Sequence, residues 1–398
     1  GEIEWEKDGI PVCTAEEEQE RTVVVSDGAG GAIIVWSDLR LHRRGIYAQR
    51  ISADGTPLWE KDGVLVCSEH ARREIEAVPD GAGGAIITWE DWRNGNQDIY
   101  AQRLGPDGKP VWAENGVPVC KAEGDQYDPF LVTDGKGGAI FTWWDTSTPS
   151  WNVYTQRLDA QGNSLWGVAG IAVCDVPQEK GTPFIVEDGN GGAFIVWVDY
   201  RYSAQPLNES DAPKVMAGDA KGDIYVQRIN ADGIALFPKN GISVCNLPSN
   251  QQQPTGISDG TDGIIITWWD ERDIFSDIYA QRIDRNGKAL WEANGVSVCA
   301  AGGVQRHPVI VPDGAGGAII LWKDYREDYG EKEVDDIYAQ RISTDGKTLW
   351  EPNGVPVSTA DGRQDNPRAT HGNKGSAIVV WSDSRNGEED IYAQMVGK

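Results

Sequence analysis

The stretch DGAGGAIIVWSDLR, Asp27 to Arg40, decides the fold. It returns as DGAGGAIITWEDWR at Asp80 to Arg93, DGKGGAIFTWWDTS at Asp134 to Ser147 and DGNGGAFIVWVDYR at Asp188 to Arg201. DGTDGIIITWWDER at Asp259 to Arg272 and DGAGGAIILWKDYR at Asp313 to Arg326 follow, and a degenerate seventh copy, HGNKGSAIVVWSDSR, runs from His371 to Arg385. Trp36, Trp89, Trp143, Trp197, Trp268, Trp322 and Trp381 are spaced by 53 to 59 residues in five of six intervals; the longer one, Trp197 to Trp268, holds an expanded loop. Behind each comes IYAQR or a variant, at Tyr47, Tyr100, Tyr154, Tyr225, Tyr279, Tyr338 and Tyr392. A glycine turn and a second aromatic follow at Trp59, Trp112, Trp166, Phe237, Trp291 and Trp350.

Each unit alternates β-branched and aromatic runs with Gly and Asp turns, and no run has a helical period, so a unit reads as four antiparallel strands. In the first unit these are Val23 to Val25, the run AIIVW, the run IYAQRI and the run from PLW to VLVC. DG and GG supply the positive φ of tight hairpins, and Asp62-Gly63, Asn115-Gly116 and Asn294-Gly295 mark a bend in the fourth strand. Pro129, Pro183, Pro254, Pro308 and Pro367 suit the first residue of an edge strand. A period near 54 residues with four strands fits propeller blades better than a solenoid, which needs polar capping repeats.

The expectation is therefore an all-β, seven-bladed β-propeller occupying 1–398 as a single domain. Its blades run at about 14–67, 68–120, 121–174, 175–245, 246–299, 300–358, and 359–398 plus 1–13. The opening EIEWEKDGIPVC matches the fourth-strand segment TPLWEKDGVLVC, while the last unit stops after its third strand at IYAQMV. Residues 2–13 are thus expected to complete the last blade and close the ring. The same strand docked on a second molecule would give self-association.

Composition narrows the function. With 39% hydrophobic and 25% charged residues the chain reads as globular, and no apolar run reaches the ~20 residues of a membrane span. A net charge of −26 argues against nucleic acid and anionic membranes as partners. Gly1 and the polar start read as a mature or trimmed chain, so localisation is not legible directly. Cys13, Cys67, Cys120, Cys174, Cys245 and Cys299 hold one equivalent position per unit, with Ser358 in the seventh. Fourth strands of successive blades lie about 17 Å apart, against the roughly 7 Å a disulfide allows, so free buried thiols are expected. Without CxxC or Cys/His spacing, neither zinc nor another metal is expected, and no cofactor.

The string DGxGGAIIVWxDxR, then DIYAQR, then GxxLW resembles the repeats of secreted or surface-anchored bacterial β-propellers, over essentially the whole chain. The resemblance implies an extracellular or cell-envelope location and a non-enzymatic role, and transfers no functional residue. Segments such as SADGTPLW are similar to the Asp-box of sialidase-type propellers, but Asp and Gly are adjacent here, which weakens that link.

The connections after the second and fourth strands vary while those on the other face are uniform, so the variable face is the expected binding surface. The acid and arginine after each tryptophan, as in Asp38 and Arg40 or Asp270 and Arg272, recur in six units. Recurrence favours ion pairs that tie blades together over a catalytic pair, which would be singular. Arg50 and Arg103 read as structural for the same reason. Thirteen of 17 tryptophans hold the two repeated positions; Trp92, Trp144, Trp151 and Trp269 do not. Trp92 and Trp151 fall in variable loops, with Tyr200 and Tyr325 aromatic at the Trp92 position, and exposed rings of this kind stack on sugars or anchor proteins. Trp144 and Trp269 extend the second strand on its opposite face and read first as core. His42, His70, His307 and His371 share no ligand spacing, and the acids of the loop from Tyr200 to Asp223 match no calcium-loop pattern.

The expected function is a non-catalytic module presenting Trp92, Trp151, Tyr200, Tyr325, Trp144 and Trp269 to a glycan or protein, with no catalytic residue. Two rivals are a structural envelope or filament component and a glycoside-active enzyme. The enzyme would be marked by two carboxylates on unlike blades facing one pocket.

Overall fold

The computed structural model describes residues 10–40, 44–68, 74–147, 151–181, 183–202, 221–326, 335–372, 375–387 and 389–397. All regular structure among them is β. The fold is a seven-bladed β-propeller: each repeat forms one antiparallel sheet, its strands paired in chain order. Six sheets have four strands and the seventh has three among the described residues. Residues 1–9, most of the segment expected to complete that last sheet, lie outside the described residues, as do His42, His70 and residues 203–220 of the expanded loop. By contacts the chain forms two compact units, Gly1–Pro177 with Gly191–Ala193 and Ile229–Ile234, and Gln178–Asn190 with Phe194–Arg228 and Ala235–Lys398.

In blade 1 the strands are Gln19–Ser26, Ala32–Asp38, Gly45–Ile51 and Val64–Cys67. The fourth is shorter than the PLW-to-VLVC reading. Only a bridge from Pro57 to Ile51 precedes it, because Asp62 and Gly63 both adopt positive φ and bend the chain. That bend is obligatory in form. A Cβ on Gly63 would stand 2.5 Å from the Trp36 ring, so only glycine lets the turn lie on the tryptophan.

The tryptophans that end the second strands make the contacts between blades. In the first unit Trp89 packs with Ile33, Val35 and Ile46 of the preceding blade. In the second, Trp268 packs with Phe194, Val196 and Val226. Each ring removes roughly 200 Å² from water, on the order of 5 kcal/mol of transfer free energy. The six cysteines form no disulfide; five are buried and Cys13 is half-buried.

The first strands hold a feature the turn motifs do not announce. In blade 3 the first strand, Gln126–Thr133, slips register against the second, so that Asp128 and Pro129 together oppose Trp143. Equivalent slips occur in blades 1, 5, 6 and 7. The bulged residue is left-handed without being glycine: Arg21, Asp128, Gln253, His307 and Asn366, joined by Glu74 just ahead of the first strand of blade 2. Pro129, Pro254, Pro308 and Pro367 therefore sit fourth in their strands, after the bulge, and do not begin them. A bulge frees the backbone from the ladder where proline has no N–H to give.

Candidate functional site

The two ends of the strands differ in kind. At the DG end, Asp27 accepts from the backbone N–H of Ala29 and Gly31, both at 2.8 Å, and pairs with Arg50 at 2.9 Å. Arg50 and the Trp59 indole both donate to the Pro106 carbonyl of the next blade. The same clasp recurs at Arg103 and Trp112 onto Ala160, and at Arg282 and Trp291 onto Thr344. A pocket between the turns of blades 1 and 2, lined by Asp27, Arg50, Pro79 and Pro106 among others, belongs to this repeated scaffold.

At the other end each blade carries a charged lock. In blade 5 the Trp268 indole donates to Asp270 at 3.0 Å, and Arg272 pairs with Asp270 at 2.6 Å. The guanidinium lies 3.5 Å over the Tyr279 ring and also reaches the Asn294 carbonyl and the Cys245 sulfur of the preceding blade. Blades 1, 2, 4, 6 and 7 repeat the Arg–Asp pair and the stack on tyrosine. Asp38, Asp91, Asp199, Asp270, Asp324 and Asp383 are fully buried, so their charge is committed to this lock.

In five blades, all but 1 and 3, a second acid begins the third strand opposite the lock aspartate; blade 1 has Gly45 there. Burial pushes the Asp98 carboxyl up; burial with Asp199 takes Asp223 to about 6, and burial with Asp273 and Asp270 takes Asp277 to about 7. The residue before each acid accepts a backbone hydrogen bond from a buried glutamine of the next blade: Gln97 from Gln126, Gly222 from Gln251 and Ser276 from Gln305. The side-chain oxygens of those glutamines are buried without a donor among the described residues.

Blade 3 breaks the pattern. Ser147 replaces the lock arginine and bonds Asp145 through its backbone N–H at 2.8 Å, while the Trp143 indole stands 3.4 Å from that carboxylate. Asn152 replaces the second acid. On the opposite face of the second strand, Trp144 meets Trp151 edge to face at 5.2 Å, and Trp151 stacks on Tyr127 at 6.0 Å with 13° between the planes. Trp151 is 42% exposed. The Trp144 indole nitrogen is buried with no partner among the described residues.

Beside this aromatic group stand three carboxyl groups. Glu90, buried on the second strand of blade 2, accepts from the Asp128 backbone N–H of blade 3 at 2.9 Å. Burial pushes the Asp128 carboxyl above the usual carboxylate range, and the Glu74 charge adds to it. Glu74 is exposed. Glu74 and Asp128 thus belong to unlike blades and stand near enough for the charge of one to raise the other. The sequence reading missed Glu74, Glu90 and Asp128 because no motif spans them. The signal lay in the residue before the recurring prolines, which differs in every blade.

The anticipated ligand residues fall in separate places. Trp151 and Trp144 meet on blade 3. Trp92 is tied to them through polar links: its indole donates to Gln97 at 3.0 Å, whose N–H donates to Asp125, which accepts from the Tyr127 hydroxyl at 3.1 Å. Tyr200 bonds Gln252 and stands apart, as does Tyr325, 5.6 Å from the Lys323 ammonium. Trp269 is buried, its indole capped by Gln253 at 3.0 Å and covered by Arg306. Around it the charges cancel: Lys323 pairs with Asp335 at 2.6 Å and Asp365 at 2.7 Å, and Arg306 pairs with Glu271 at 3.2 Å. Burial and the Lys323 charge push His307 down. Among the described residues no cluster of three or more His, Cys, Asp or Glu is placed to hold a metal, and no helix is long and apolar enough to cross a membrane.

No family model matches the sequence, and no curated protein matches it. Solved structures do. The polysaccharide lyase Uly1 superposes with a TM-score of 0.52 at 8% identity, covering 98% of this chain and 91% of that one. An ulvan lyase of family PL25, solved with -[GlcA(1-4)Rha3S]-, gives 0.50 at 9% identity, covering 96% and 94%. An endo-arabinase from Bacteroides thetaiotaomicron gives 0.36 at 14% identity, covering 68% and 93%. The two lyases, with TM-scores of 0.50 and above, show the fold. Both are enzymes, which runs against the expectation of a non-catalytic module. That expectation rested on the recurrence of the Asp–Arg positions, which form the locks described above.

Proposed function

We propose that the chain is a glycoside-active enzyme whose reaction is carried by Asp128 and Glu74 where blades 2 and 3 meet. The observation that carries the reading is the raised Asp128 carboxyl beside the exposed Glu74, on unlike blades. Asp128 in its protonated form, which burial favours, donates the proton to the glycosidic oxygen as the bond to the anomeric carbon breaks. Glu74 takes the proton of the water whose oxygen joins that carbon. Glu90 holds the backbone N–H of Asp128 and so acts as a positioning residue for the bulge. Left-handed residues that are not glycine cost on the order of 1 kcal/mol or more, and such strain gathers at functional sites. The enzymes of similar fold support the class of activity and leave the substrate open. A polymeric glycan substrate goes with action outside the cell, so an extracellular or envelope location belongs to the same proposal.

Reducing-end release from a panel of polysaccharides tests it. The expected result is turnover by the full chain that falls about 10²- to 10⁴-fold in Asp128→Asn and in Glu74→Gln, with thermal melting unchanged. Turnover that survives both substitutions, or none on any glycan, would sink the reading.

A further inference from the structure

The region where Asp128 and Glu74 stand carries more information than a pair of carboxyl groups. Six blades place an arginine two residues after the lock aspartate; blade 3 places Ser147 there. Among the described residues that edge lacks the lock arginine its neighbours have, while Glu74 and Asp125 place carboxylates there. A uronate or sulfate-bearing sugar would meet repulsion from these carboxylates, strengthened by a chain of net charge −26. An uncharged sugar meets none.

The aromatic group supplies the complement. The Trp151 ring is exposed and is held from behind by Tyr127, 13° from parallel, and from the side by Trp144. A ring fixed on two sides offers its remaining face at little cost in side-chain entropy. The C–H face of a pyranose or furanose matches that surface. Beside it the Trp144 N–H is desolvated and has no acceptor among the described residues, a state that costs on the order of 1–3 kcal/mol unless a partner arrives. In blade 5 the equivalent indole, Trp269, is capped by Gln253, the residue at the bulge. In blade 3 the bulge residue is Asp128, and Trp144 has no cap among the described residues.

We infer that this edge binds an uncharged glycan, one sugar ring lying on Trp151 and one sugar oxygen accepting from the Trp144 N–H. The inference rests on the proposed activity for its interest, yet it concerns binding and is tested separately from turnover. The Asp128→Asn protein, with slowed chemistry, is titrated calorimetrically with uncharged hexasaccharides of glucose, mannose, xylose and arabinose, and with oligogalacturonate of the same length.

The expected result is binding of at least one uncharged hexasaccharide and none of the galacturonate. In the same background Trp151→Ala weakens binding about tenfold and Trp144→Phe, which keeps the ring and removes the donor, about threefold to tenfold. Thermal melting of Trp144→Phe, a substitution between aromatic residues, checks that the cluster still folds. Tighter binding of the galacturonate, no binding of any uncharged sugar, or indifference to both tryptophan changes would overturn the inference. The two proposals fail separately. Trp151-dependent binding without any turnover removes the enzyme reading alone. Turnover of a uronate polymer that survives Trp151→Ala removes this one alone.

Discussion

Blades 5 and 3 have the same strands in the same register, and they spend equivalent positions differently. In blade 5 Arg272 closes on Asp270 and Tyr279, Asp277 stands opposite, and Gln253 caps Trp269. In blade 3 the corresponding residues are Ser147, Asn152 and Asp128; Trp144 has no cap among the described residues, and Trp151 is exposed. The difference teaches that the lock is a local option. One blade can forgo it because its tryptophan, Trp143, remains fully buried and still packs with Trp112, Val119 and Phe141. Hydrophobic burial holds the blade; the lock adds specificity and rigidity where nothing else is asked of the edge.

The comparison breaks first through the lock aspartates. Asp270→Asn strands a buried guanidinium, and denaturant unfolding is expected to show a loss of about 3–5 kcal/mol. Asp145→Asn, with no arginine to strand, is expected to cost about 1 kcal/mol. Equal losses would mean that the lock is not what separates the two blades.

A smaller effect is expected with pH. Asp223 at about 6 and Asp277 at about 7 lie above the value of 3.8 they have in an unfolded chain. The folded protein therefore holds protons that the unfolded chain releases. Their stabilisation is complete below about pH 4 and is lost as pH rises to the folded values, so it declines across about pH 4 to 7. The lowered group Asp383, at about 2, contributes in the opposite sense, losing its part only in strong acid. Melting temperature should fall between about pH 4 and 7, and Asp277→Asn should flatten the slope. Blade 3, already Asn at 152, contributes nothing to it. A melting temperature level across that range would show that these acids release their protons as freely in the fold as in the open chain.

Much of this scaffold was legible because its devices repeat. DGxGGA fixes an aspartate onto two backbone N–H groups, and WxDxR writes the lock in five letters. What repeats identifies itself as scaffold by recurring, which is why the Asp–Arg pairs were read as ties between blades. The site was illegible for the converse reason. Glu74 and Asp128 are joined by the meeting of two blades, 54 residues apart in sequence, at a bulge whose left-handed backbone no glycine advertises. The prolines pointed to the place and were read as strand starts. Trp151 was singled out by its departure from the repeat. Its support by Tyr127 and Trp144 needed the fold.

The most direct test is a crystal structure of the Asp128→Asn protein soaked with the uncharged hexasaccharide it binds best. The account predicts a sugar ring stacked on Trp151, with a glycosidic oxygen within hydrogen-bond distance of residue 128. Density for the sugar on the DG-turn face, or beside Arg306 and His307 with the blade 3 edge bare, would contradict it.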